Sequence, residues 1–146
     1  MLNNKGAYIM KKLLLLALLI PNLVVAELKP LSSNTEVSDA MALYRVQRCS
    51  GFYYASEWLF EISNKSDMAK NMGDRAINLA LFSYRVGEKV GKVTPESNNK
   101  AILALANAYI DDMESARISS GNYTDGVVGK DAPYCNSLYE SSSKYF

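Results

Sequence analysis

The chain has 146 residues, enough for one domain, with 16 basic and 15 acidic residues and no histidine. A balance so near neutral lacks the basic footprint that nucleic acid or an anionic membrane surface requires. Without histidine, a nucleophilic triad loses its usual base and a metal site its commonest ligand, so no metal and no cofactor is predicted.

The first twenty-six residues read as a secretory signal peptide. Lys11 and Lys12 form a basic start, Leu13 to Ile20 is an unbroken apolar run, and Val24 and Ala26 fit the small-residue rule for cleavage after Ala26. Met10 is an alternative start to Met1, because it opens a more compact leader. Leu13 to Ala26 is shorter than the roughly twenty residues a membrane span needs, so membrane contact is expected only through the signal peptide before cleavage. Cleavage removes Lys5, Lys11 and Lys12 and leaves 13 basic against 15 acidic residues. The destination is periplasmic or secreted, given the bacterial style of the leader.

Residues 27–34 (ELKPLSSN) read as a linker, and residues 35–146 as a single helical domain. A first helix is predicted from Thr35 to Ile62, with Asn34, Thr35 or Ser38 as cap. Its stripe is Val37, Met41, Tyr44, Arg48, Gly51, Ala55, Leu59 and Ile62, at steps of three and four. Phe52, Tyr53, Tyr54, Trp58 and Phe60 extend round the axis, which suits a central helix covered on more than one side. A second helix runs from Ser66 to Val90, its face made of Met68, Met72, Leu79, Val86 and Val90, with Ala76, Phe82 and Ser83 near it and Gly73 and Gly87 allowing close approach of a neighbour. A third spans 95–118: Thr94 caps it, Pro95 opens it, and Ile102, Ala106, Tyr109, Met113 and Ala116 form its stripe, widened by Leu105 and Ile110. Residues 119–132 read as a glycine-containing loop, followed by a short helix from near Pro133, capped by Asp131 or Ala132, and a fraying tail at Ser141–Lys144.

The fold class is therefore all-α: a small bundle of three long amphipathic helices plus a short C-terminal helix. Cys49 and Cys135 survive cleavage, and an even count in an oxidising compartment predicts one disulfide. It would close a loop of 86 residues and tie the last helix to the first.

Arg48 is the residue that stands out, a charge on a stripe that should be buried. It must pair with an acid from another helix or reach water, or else line a cleft and receive a carboxylate or other anion. Arg45, one turn earlier, would share that cleft. Tyr53 and Tyr54 fall off the main stripe, and with Trp58 they are the aromatic residues available for recognition. Arg45, Arg48, Tyr53, Tyr54 and Trp58 thus form the expected binding set. Glu57 and Glu61, one turn apart, and the cluster Asp111, Asp112 and Glu114 are read first as solvated faces. The sequence points to an exported binding module for a protein, peptide or envelope component. A carboxylate-dependent enzyme on a cell-wall or other polymeric substrate, and an assembly subunit of the envelope, are the alternatives.

Overall fold

A computed structural model describes residues 27–91 and 93–146; the leader expected at 1–26 lies outside the described residues. Four helices carry the fold: α1 Asp39–Ile62, α2 Ser66–Val90, α3 Pro95–Ser120 and α4 Val127–Ser142. Short 3-10 turns at Leu31–Ser33 and Ser143–Tyr145 flank them, and no strand occurs among the described residues. The all-α bundle and its disulfide are as the sequence predicts: Cys49 and Cys135 are bonded, with both residues fully buried.

The central helix is α1. From Arg48 to Tyr53 every residue is buried, which only a helix covered from several sides achieves. Its hydroxyl cap is Ser38, whose side chain accepts from the Met41 amide at 3.1 Å. The helix therefore opens at Asp39, and Val37, expected on the stripe, lies before it and is 93% exposed.

Contacts between α1 and α2 run in opposite sense: Glu57 meets Gly73, Tyr53 meets Arg75, and Ser50 donates to the Ala76 carbonyl at 2.8 Å. These two helices form an antiparallel hairpin joined by Ser63–Lys65. The buried face of α2 is rotated from the expected one. It consists of Ala69, Gly73, Ala76, Leu79, Ser83 and Gly87, while Met68 and Val90 are exposed. Small side chains let the two backbones approach, so the larger methionine and valine are displaced to the margin.

Two further contacts fix α3 beside α1, running in the same sense: Gln47 with Asn98, and Phe52 with Tyr109. Between them, Gly51 permits backbone-to-backbone packing. A methyl group there would meet the Ala106 amide nitrogen and the Leu105 Cβ at 2.9 Å. Thr94 and Ser97 form a reciprocal capping box, Pro95 occupies the first turn, and Gly121 closes α3 in the left-handed conformation. The five central residues of the expected stripe of α3 are buried, and Leu105 and Ile110, expected to widen it, are half-buried.

Three local expectations are corrected. First, α4 begins at Val127 rather than near Pro133. Its start is capped in tertiary fashion by Asp112 of α3, whose Oδ2 accepts from the amides of Val127 at 2.7 Å and Val128 at 3.3 Å. Asp112 is thus a half-buried cap and not a solvated acid. Pro133 lies inside the helix, where the carbonyl that loses its partner belongs to the solvent-exposed Gly129. Second, the tail does not fray. Tyr145 stacks on Phe82 at 5.6 Å, Phe146 meets the same ring edge-on, and Arg85 holds the Tyr145 carbonyl at 2.8 Å. Third, the linker-like stretch 27–34 carries a 3-10 turn whose Leu31 is 2% exposed and belongs to the core.

Candidate functional site

Arg48 lies one residue before the disulfide on α1, and Asp131 lies one turn before it on α4. The bond therefore brings a guanidinium and a carboxylate together. Arg48 Nη2 contacts Asp131 Oδ2 at 2.5 Å, with side chains only 4% and 0% exposed. The rest of the cluster leaves little unsatisfied. Arg48 Nε donates to the Tyr109 hydroxyl at 2.9 Å, Nη1 to the Tyr44 hydroxyl at 3.1 Å, and Nη2 also to the Lys29 carbonyl at 2.5 Å. Tyr109 in turn donates to Asp131 Oδ2, and Asp131 Oδ1 accepts from the Leu31 amide at 2.7 Å.

Burial disfavours the Arg48 charge, but the hydrogen bonds to Tyr109 and Tyr44 and the charge of Asp131 outweigh it and hold the guanidinium above its ordinary pKa. Burial raises Tyr109 strongly, so its hydroxyl stays a donor. Of the two roles open to Arg48, the structure shows pairing with an acid of another helix. Asp131 takes the Arg48 Nη2 that an external anion would otherwise pair with.

The other expected binding residues are not gathered around Arg48. Arg45 turns toward the N-terminal segment, and its Nη2 donates to the carbonyls of Asn34 at 2.9 Å and Glu36 at 2.8 Å. Tyr53, expected as a surplus aromatic, is 1% exposed. The reason is α4, which covers that side of α1: the Tyr53 hydroxyl donates to Asn136 Oδ1 at 2.7 Å, and the Arg75 guanidinium lies over the rings of Tyr53 and Tyr139. Trp58 packs edge-on against Tyr123 of the α3–α4 loop, with ring centres 6.4 Å apart.

Tyr54 is different. It is half-buried at the base of a groove between α2 and α3, a cavity of about 410 Å³ lined also by Ile77, Leu81, Tyr84, Pro95 and Asn99. Ile77 is 50% exposed and Leu81 58%, so the groove opens to solvent with an apolar wall. Burial, then the nearby charge of Glu57, raises the Tyr54 pKa and keeps its hydroxyl protonated. Beneath the groove a buried amide sets the helix spacing: Asn98, 2% exposed, pairs with Gln47 at 2.9 Å and with Ser83 at 2.9 Å. Sequence reasoning missed this groove. Its signal is the pair Ile77 and Leu81, apolar residues one turn apart that lie off the buried face of α2.

Glu57 lies against Gly73, half-buried, beside a recess of about 500 Å³ that Glu61 also lines. Burial and the charges of Glu61 and Asp74 raise its carboxyl above the ordinary glutamate value. No group of three or more acidic or cysteine side chains among the described residues is placed to hold a metal ion. Comparison with models of protein families, with curated proteins and with solved structures finds no match for this chain.

Asp131→Ala leaves a buried positive charge without its partner. The expected loss is about 3–5 kcal/mol in equilibrium denaturation of the oxidised protein, and the double change Arg48→Met with Asp131→Leu should recover most of it. A loss near zero for Asp131→Ala would show the pair to be incidental. Glu57 gives a pH test. Its folded pKa is raised, so between the ordinary glutamate value and the folded one the native state holds more protons, and stability falls as pH rises. Glu57→Gln should therefore raise the melting temperature at pH 7, and the gain should vanish in acid below that window.

Proposed function

We propose that this protein is an exported interaction module and that the groove between α2 and α3 is its binding surface for a protein or peptide partner. Export is supported by two features. The leader has the composition of a cleavable signal, and the disulfide suits an oxidising compartment. No helix among the described residues is long and apolar enough to cross a membrane.

The observation that carries the binding reading is the open apolar wall of Ile77 and Leu81 across from Pro95, with Tyr54 and Tyr84 in the same groove. Tyrosines offer a large rigid face and a polar tip, which is why they serve recognition at low entropic cost. Among the described residues the Tyr54 and Tyr84 hydroxyls make no hydrogen bond, so both tips remain available. The surface would take an apolar side chain flanked by groups able to pair with phenolic hydroxyls. A carboxylate-dependent enzyme is the second reading, and the raised carboxyl of Glu57 in its recess is what favours it.

The test uses the immobilised domain with envelope extract and mass spectrometry. A partner retained by the native protein should be lost with Leu81→Asp while the melting temperature stays within a few degrees, because Leu81 is more than half exposed. Retention of the same partner by Leu81→Asp would remove the groove from consideration.

A further inference from the structure

A cavity of about 670 Å³ lies between the N-terminal segment and α1, apart from the α2–α3 groove and the Glu57 recess. Tyr44 and Arg48 of α1 form its inner wall, and the arm from Glu27 to Glu36 forms its outer one. That outer wall is fixed in place. Arg48 holds the Lys29 carbonyl, Asp131 the Leu31 amide, and Arg45 the carbonyls of Asn34 and Glu36. A volume of this order is that of a small-molecule site.

The inner wall has donors to spare. Arg48 Nε is taken by Tyr109, and Nη2 by the Lys29 carbonyl and Asp131. Nη1 gives one hydrogen to the Tyr44 hydroxyl, and its other hydrogen has no acceptor among the described residues. The Tyr44 hydroxyl receives that bond, and its own proton has no acceptor there either. Arg48 is a buried residue, and a buried donor left without an acceptor is costly. The charge that suits the site follows from its surroundings. Asp131 already cancels Arg48, and Glu27 and Glu36 outnumber Lys29 among the other charged residues of the cavity. The negative balance disfavours an anion, and the free donors disfavour a cation.

We infer that this cavity binds a neutral saccharide. Sugar oxygens accept from Arg48 Nη1 and the Tyr44 hydroxyl, sugar hydroxyls donate to the Glu27 and Glu36 carboxylates, and the C–H faces lie against Leu28 and Pro30. A hydroxyl both donates and accepts, which matches a site with donors on α1 and acceptors on the arm. This inference does not rest on the α2–α3 groove, which lies between other elements.

The probes are chitotriose and maltotriose, titrated into the whole oxidised chain by calorimetry and by amide NMR. Trigalacturonate serves as the anionic comparison and capped trialanine as the peptide one. At least one neutral trisaccharide should bind saturably, one to one, and more tightly than either comparison. It should shift the amides of the arm and of Tyr44 and leave those of Ile77 to Tyr84 unmoved. Tyr44→Phe should weaken binding about tenfold, the worth of one hydrogen bond. Leu81→Asp should bind as the native chain does, which separates this site from the groove. Where Tyr44→Phe does not fold, the shift map of the native chain decides. The inference is overturned by no saturable binding of either neutral sugar, by equal or tighter binding of trigalacturonate or trialanine, by shifts centred on Ile77 to Tyr84, by loss of binding with Leu81→Asp, or by unchanged affinity in a folded Tyr44→Phe chain.

Discussion

A single buried positive charge organises this protein. An uncompensated guanidinium in the interior costs several kcal/mol, so Arg48 on the central helix must be met by acceptors wherever the chain can supply them. Those acceptors come from four places: Tyr44 on α1 itself, Tyr109 on α3, Asp131 on α4 and the Lys29 carbonyl of the N-terminal arm. Satisfying one side chain therefore fixes the positions of three elements around α1. The disulfide acts at the same point. Cys49 follows Arg48, and Cys135 lies one turn beyond Asp131, so the covalent link and the ion pair hold the same two helices in the same register. Closing so long a loop contributes about 4.5 kcal/mol on the chain-entropy model.

On the other side of α1 the constraint is size rather than charge. The ridge of Ala69, Gly73, Ala76 and Ser83 draws α2 close, and Ser50 and Asn98 supply buried polar contacts that hold the spacing. With its small residues committed inward, α2 has Ile77 and Leu81 left facing solvent beside α3. The open groove is thus a consequence of how α2 packs. Polar pairing at the arm and close packing at the hairpin leave the groove between α2 and α3 as an open apolar surface, the one proposed above for a partner.

Much of the fold was legible in the chain. The periodicity of α3, its Thr94–Pro95 start and the girth of α1 depend on neighbours in sequence, and these read correctly. What escaped depended on neighbours in space. Asp112 caps a helix fifteen residues later, so α4 looked shorter than it is. Ser141–Lys144 looks like a loose tail until Phe82 is known to lie beneath Tyr145. Tyr53 looked surplus because α4, which buries it, has no signal on α1. Arg48 was visible as an anomaly, a charge in an apolar stripe, but its partner was not, since Asp131 reads as an ordinary helix-start acid. The apolar wall of the groove left only a faint trace, two residues out of phase with their own helix.

The central claim is that the Arg48 cluster binds the N-terminal arm as firmly as it binds the helices. Native-state hydrogen exchange of the Leu31 amide tests it most directly, because that amide donates to Asp131 Oδ1 in the interior. Protection comparable to amides in the middle of α1 is the predicted result. Exchange as fast as that of the exposed residues Thr35 to Val37 would contradict the account.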